Sequence, residues 1–111
     1  MVEIDVTGQD EVTLVRVSGR VDSMNANEFG EAINAQIDDG NIFIVLDLSN
    51  VEYMSSAGLR EIVTSLKKAK KAQGDLRLAQ PSQRVREVLE MAGLDTIFRI
   101  YSTQDEALGS F

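Results

Sequence analysis

Apolar and polar residues alternate at the start of the chain, where Val2, Ile4 and Val6 are separated by charged or hydroxyl-bearing side chains. A period of two predicts a strand with one buried face. A turn signal follows at 8–10, and residues 12–18 form a second run rich in β-branched side chains. The connection is too short for a parallel crossover, so these two segments should form an antiparallel hairpin.

Apolar positions then recur every three or four residues, which predicts amphipathic helices. Each of three apolar stripes is followed by a glycine that would end the helix. The stripes are Ala26, Phe29, Ile33 and Ile37 before Gly40; Leu59, Ile62, Val63, Leu66 and Ala69 before Gly74; and Val85, Val88, Leu89 and Ala92 before Gly93. Asn25 with Glu28 and Thr103 with Glu106 have the spacing of capping boxes. The second pair predicts a short terminal helix.

Strand patterns lie between these helices. Residues 42–48 are nearly all apolar, as expected of a central strand covered on both faces, and shorter strands are predicted at 75–80 and 98–101. The element order is therefore β-β-α-β-α-β-α-β-α. This order predicts an α/β fold with an N-terminal hairpin, a mixed, mostly parallel sheet and about four helices, in a single domain spanning 1–111.

Sites in such sheets form in loops beyond the carboxyl ends of the strands, here predicted at 19–24, 49–56 and 81–82. The second loop leads into a helix that should begin at Ser55 or Ser56. Free N–H groups and the helix dipole make that position suitable for an anion, including a phosphate on a serine. The simpler interpretation is that the serine only caps the helix, which is worth about 1 kcal/mol. Asp22, in the first loop, is expected at the same edge.

Composition narrows the possible chemistry. The chain has 11 Lys and Arg against 18 Asp and Glu, a net charge of −7, and neither His nor Cys. A Ser-His-Asp triad, a thiolate nucleophile, a disulfide and an ordinary zinc site are thereby excluded, while an all-carboxylate magnesium or calcium site stays open. The negative charge opposes binding to nucleic acid or anionic lipid, and the apolar run at 42–46 is too short to span a bilayer. Because the first residues lack a secretory pattern, we expect a cytoplasmic protein. We also expect no cofactor.

Three alternatives, two enzymatic and one receiver-like, start from single motifs. Ser56 and Gly58 match the second half of a G-x-S-x-G nucleophile elbow, but the chain has no His to accept the serine proton. Ser65 and Lys68 satisfy S-x-x-K inside a predicted helix, without the companion motifs of that enzyme class. Asp47 suggests a phospho-aspartate receiver, yet the acidic pair after the first strand and the lysine after a late strand are missing. We therefore expect no catalytic residues.

Four lysines cluster on the second helix, at positions 67, 68, 70 and 71. Cations near a helix C-terminus usually form a solvated face that complements the helix dipole. The alternative is that they contact an acidic partner.

The order of several short segments resembles the STAS-domain anti-sigma factor antagonists of bacteria. The resemblance covers nearly the whole chain, and the segments are GRVD at 19–22, VLDLS at 45–49, VEYMSSAGL at 51–59, VLEMAGLD at 88–95, IFRIY at 97–101 and DEAL at 105–108. Each segment is common by itself, whereas all of them at the family's spacing are specific.

The resemblance implies a protein–protein switch. An unmodified antagonist of this family binds an anti-sigma factor that is also a serine kinase, and so releases a sigma factor. Phosphorylation of one serine ends the binding, and a metal-dependent serine phosphatase reverses it. That serine matches Ser56, with Ser55 as the alternative, and Asp22 matches the family's acidic residue. The positions that the resemblance assigns to partner binding are Asp22, Ser49, Ser55, Ser56, Gly58 and Leu59.

One position departs from the family pattern, because Ser55 stands where the family usually has Asp. A negative charge is lost beside Ser56 and a second hydroxyl is gained. This change favours a rival interpretation, in which the chain is a STAS module that is never phosphorylated. Such a module would serve as a scaffold in a sensory assembly or as an accessory subunit of a lipid-transport complex.

Overall fold

The computed structural model describes residues 2–111, with the backbone alone at Gln9. Its strands are β1 (Val2–Gln9), β2 (Val12–Val21), β3 (Phe43–Met54), β4 (Asp75–Ala79) and β5 (Ile100–Tyr101). Its α-helices are α1 (Ala26–Asp38), α2 (Ser56–Lys71), α3 (Gln83–Met91) and α4 (Gln104–Gly109), and a short 3-10 helix covers Leu94–Thr96. The predicted order of strands and helices is confirmed.

The five strands form one sheet in the order β1-β2-β3-β4-β5. β1 and β2 pair antiparallel, and the other neighbouring pairs are parallel. The mixed, mostly parallel sheet that the sequence predicts is therefore confirmed. The carboxyl ends of β2 and β3 meet at one edge, where Val21 pairs with Met54.

The two faces of the sheet are covered unequally. On one face, Phe29 and Ile33 of α1 join Ile62 and Leu66 of α2 in a large buried cluster that also includes Val85 of α3. On the other face, a small cluster contains Leu14, Val45 and Ala79 together with Ala107 of α4. The all-apolar stretch at the start of β3 is explained by this cover, because its alternating side chains enter both clusters.

β3 runs through Met54, so the loop predicted at 49–56 is wrong over residues 49–54. Its pairing with β2 shifts twice, between Arg16 and Ser18 and between Gly19 and Arg20. Each shift places an extra residue of β3 opposite β2, which is the pattern of a β-bulge. The side chains of β3 that enter the large cluster are Ile44, Leu46, Leu48, Val51 and Met54. Their spacing changes from two to three residues at the bulges, and this hides the strand from a period-two search.

Two further predictions differ in detail from the structure. β5 contains Ile100 and Tyr101 alone, although residues 98–101 were predicted. Asn25 is the N-cap residue of α1, but the capping box predicted with Glu28 is wrong, because the Asn25 side chain makes no capping bond to the helix. The capping pattern at Thr103 is confirmed, since its hydroxyl accepts a hydrogen bond from the Glu106 backbone N–H at 3.1 Å.

Candidate functional site

The candidate site lies where β2 and β3 end side by side. The backbone N–H of Ser55 donates to the carbonyl oxygen of Val21 at 2.8 Å. This bond joins the start of α2 to the end of β2, one residue before Asp22. The loop that contains Asp22 and the serine pair are therefore neighbours, and we call residues 21–25 and 54–58 together the serine corner.

The two serines of this corner have different surroundings. Ser55 is the N-cap of α2, with an extended backbone, and its Oγ accepts a hydrogen bond from the Gly58 backbone N–H at 3.2 Å. Ser56 is the first residue of the helix and is exposed. Within the described part of the chain, its hydroxyl takes part in no side-chain hydrogen bond. The Ser55 hydroxyl is thus occupied by the cap, while the Ser56 hydroxyl faces solvent.

Asp22 is held by a reciprocal pair of hydrogen bonds with Asn25. Its Oδ1 accepts from the backbone N–H groups of Met24 at 3.0 Å and Asn25 at 3.2 Å. In return, the Asp22 N–H donates to Oδ1 of Asn25 at 2.9 Å. This is capping-box geometry, displaced by three residues from the predicted Asn25 and Glu28 pair. Helical bonding accordingly begins with Ala26 N–H donating to the Asp22 carbonyl at 3.0 Å. Asp22 therefore sets the shape of the loop that it occupies.

Gly58 and Leu59 lie inside the molecule. A Cβ added to Gly58 would be 2.5 Å from Sδ of Met54 and 2.7 Å from Cγ1 of Val21. Leu59 is only 6% exposed and belongs to the large core cluster. These two residues were predicted to bind a partner, but the structure places them beneath the corner. The missing side chain of Gly58 allows α2 to approach β2 and β3 closely, while Leu59 helps to fill the core.

Ser49 is not brought to the serine corner. It is exposed at the first bulge of β3, where its N–H donates to Oδ1 of Asp47 at 2.9 Å. Met54 ends the strand five residues later, roughly 16 Å away at the usual strand rise. Ser49 thus belongs to a separate part of the surface.

Sequence reasoning missed Met24 and the pair formed by Arg20 and Tyr53. Met24 is 94% exposed next to Asp22 and presents an apolar side chain to solvent. The guanidinium carbon of Arg20 lies 4.7 Å from the centre of the Tyr53 ring, as in a cation–π contact. A lone apolar residue in a polar loop was the available signal for Met24. Buried methionines and exposed ones look alike in sequence, so that signal was weak.

The charge at the start of α2 is suited to an anion. The first turn of the helix contains no acidic residue, so no side-chain charge of the helix itself offsets the positive end of its dipole. A phosphate on Ser56 would sit at this end, where such a group generally stabilises a helix. Among the described residues, no group of three or more Asp, Glu, His or Cys side chains could hold a metal ion.

None of the helices within residues 2–111 is both long and apolar enough to cross a bilayer.

Comparisons with known proteins identify the class. The profile of the STAS domain matches residues 3–107. The candidate anti-sigma factor antagonist BtrV of Bordetella bronchiseptica is 35% identical over 102 residues, covering 92% of this chain and 88% of its own. The chain belongs to the STAS domain family, as the sequence resemblance predicts.

Solved structures agree with this assignment. An anti-sigma factor antagonist from Mycobacterium paratuberculosis superimposes with a TM-score of 0.91 at 32% identity, covering 99% of this chain and 93% of its own. The Bacillus protein SpoIIAA has been solved unphosphorylated, with a TM-score of 0.82 at 21% identity, and phosphorylated, with 0.76 at 20%. Those two alignments cover 96% of this chain and 93% and 97% of SpoIIAA. At this identity, the likeness to SpoIIAA shows the fold alone.

Proposed function

We propose that this protein is an anti-sigma factor antagonist controlled by phosphorylation of Ser56. In its unmodified form it binds an anti-sigma factor that has serine kinase activity, and a sigma factor is released. Phosphate on Ser56 ends that binding, and a metal-dependent serine phosphatase restores it. The observation that carries the proposal is the exposed Ser56 hydroxyl at the first position of α2.

The contrast with Ser55 supports Ser56 as the acceptor. Modifying Ser55 would remove the hydroxyl that accepts from Gly58 N–H, so the phosphoryl group would compete with the helix cap. The Ser56 hydroxyl has no such task within the described residues. A kinase can therefore engage it without first opening the end of the helix.

The expected effect of the phosphate is local. It adds about −1.5 to −2 charges at a single point. If that point is enclosed in an interface without cationic partners, the cost of desolvating it weakens the complex. The fold should persist, because the group lies at the positive end of α2. SpoIIAA shares this fold and has been solved in a phosphorylated form, so the fold is compatible with a phosphate.

The binding surface that we propose is centred on Ser56, Met24 and Asp22. Met24 supplies an exposed apolar side chain, which is the kind of residue that an interface core buries. Asp22 supports it by holding the backbone of the loop, including the N–H of Met24 itself. Loss of the Met24 side chain should therefore weaken binding without unfolding the protein.

Mass spectrometry after incubation with the cognate anti-sigma factor kinase and ATP tests the acceptor. We expect one phosphate on the wild type, none on Ser56→Ala and one on Ser55→Ala. The Ser55→Ala variant is the matched control, since it removes the neighbouring hydroxyl. Phosphate that persists in Ser56→Ala, or that is lost in a folded Ser55→Ala protein, would place the acceptor at Ser55.

The presence of Ser55, where the family usually has Asp, favours a second candidate function. In that case the chain is an unphosphorylated STAS scaffold or an accessory subunit. The two functions differ in two results. A scaffold would bind its partner equally well whether Ser56 is unchanged or replaced by Asp, and no kinase would label it.

A further inference from the structure

A groove lies beside the C-terminal half of α2, away from the serine corner. Its floor and walls are formed by Val63 and Leu66 of α2 and by Ile97, and its rim carries Lys67, Lys70 and Lys71. Its volume is about 560 Å³. That lies within the range of roughly 300–1,000 Å³ that is usual for ligand clefts. Lys67 is eleven residues from Ser56, or roughly 16 Å along the helix.

The arrangement follows from helix periodicity. Relative to Val63, the other groove residues of α2 are three, four, seven and eight positions further along, so all five share one face of the helix. Ile97 completes the groove from the segment that follows the 3-10 helix, and it is 47% exposed. The chain's own packing therefore leaves apolar carbon open beside three ammonium groups.

The charges of the groove are unusual for this molecule. The chain has a net charge of −7, yet three of its cations border one groove. Lys68, on the same helix, is paired with Asp38 at 2.7 Å. Within the described residues, the three rim lysines form no ion pair. The helix dipole accounts for cations in the last turn, but it does not account for Lys67 or for the open apolar floor.

We propose that this groove is a second docking site, which binds an acidic amphipathic helix from a partner protein. Apolar side chains at helical spacing would fill the floor, and flanking Asp or Glu would face the lysine rim. Helix-in-groove binding uses this combination of a matched apolar stripe and complementary charge. An anionic membrane is a poorer occupant, because lipid-binding clusters typically contain about four to eight cations and the whole molecule is acidic.

A designed peptide provides the probe. The peptide is a helix with leucine at positions i, i+3, i+4 and i+7 and glutamate on both flanks, and its control replaces glutamate with lysine. We expect the acidic peptide to bind in fluorescence anisotropy, and to shift the NMR amide signals of residues 63–71 and 97. The lysine peptide should not bind. Binding by both peptides, or amide shifts elsewhere, would overturn the proposal.

Charge variants sharpen the test. The double variant Lys67→Gln with Lys71→Gln should lower affinity for the acidic peptide at least tenfold, and Ile97→Ala should lower it about threefold. Lys68→Gln is the matched control, because it removes a cation of the same helix that already pairs with Asp38. It should change affinity less than twofold, with folding of each variant checked by circular dichroism. The same free-energy loss per lysine in Lys68→Gln and in the double variant would show that only net charge matters, and would overturn the proposal.

Phosphatidylglycerol vesicles distinguish the membrane alternative. If the protein co-sediments with these vesicles and does not bind the acidic peptide, the proposal is contradicted. No anti-sigma factor or kinase is present in these assays. Their outcome is therefore independent of the switch proposed at Ser56.

Discussion

The two ends of α2 differ in chemistry and in packing. At the first end, Ser55 caps the helix, Gly58 is pressed against the end of the sheet, and no acidic side chain follows in the first turn. At the other end, Lys70 and Lys71 lie in the last turn, beside an apolar groove. One end is a tightly packed corner with no acidic residue in the first turn of the helix, and the other is an open face rich in positive charge.

This difference shows how one helix can offer two separate surfaces. At the serine corner, α2 packs closely on the ends of β2 and β3. A small charged group on the surface of this corner therefore changes which partner surface can pack against it. The groove beside Lys67, Lys70 and Lys71 is open and permanently charged, so it suits a permanent contact. A change at either end should therefore have a distinct signature. At the serine corner it should alter stability and affinity for the anti-sigma factor, and at the groove it should alter peptide binding with little effect on stability.

The largest effect is expected for Ser56→Asp in binding to the anti-sigma factor. Placing a charge in the interface should lower affinity roughly 30-fold or more, which corresponds to about 2 kcal/mol. Isothermal titration calorimetry measures this loss, and Ser56→Ala should bind like the wild type. The thermal midpoint of Ser56→Asp should not fall, because an acidic residue suits the first turn of a helix. Wild-type affinity in Ser56→Asp would contradict the switch.

The next effect concerns packing under the corner. Gly58→Ala places a methyl group against Met54 and Val21, so the free energy of unfolding should fall by about 1–3 kcal/mol. Urea denaturation measures the change. Gly109→Ala is the control within α4, because an added Cβ meets nothing within 4 Å there. If both alanine variants are equally stable, α2 leaves room for a methyl group at Gly58, which would contradict the tight packing described for the serine corner.

The smallest effect separates the two ends by stability alone. Ser55→Ala removes the cap and should cost about 1 kcal/mol of unfolding free energy. Lys71→Gln removes an exposed cation near the last carbonyls and should cost only about 0.3 kcal/mol at low salt. Chemical denaturation in low and high salt distinguishes them, since only the lysine effect should be screened. A larger loss for Lys71→Gln than for Ser55→Ala would reverse the comparison.

Most of the fold could be predicted because its signals are local. The helical stripe around Phe29 and Ile33 and the apolar start of β3 are set by which faces become buried. The end of β3 could not be predicted in the same way. Its pairing with β2 contains two bulges, and these depend on the neighbouring strand as much as on β3 itself.

The candidate site was predictable in position but not in detail. The edge shared by Asp22 and Ser56 follows from parallel pairing of β2 and β3. The different roles of Ser55 and Ser56 depend on which of them is the N-cap of α2. The sequence alone does not distinguish two adjacent serines in this respect. The bonding of Asn25 was misassigned for a similar reason, because Asp22 and Glu28 both lie three residues away from it.

The bulges of β3 also have a consequence for evolution of the gene. Residues 49–54 are polar enough to resemble a connector, and connectors usually tolerate gain or loss of a residue. The spacing from Leu48 to Val51 and from Val51 to Met54 is three residues, one more than regular strand alternation needs. Removing one residue inside either interval would delete a bulge and leave both Val51 and Met54 facing the core. This central strand should therefore tolerate the loss of a single codon at a bulge, as a connector does.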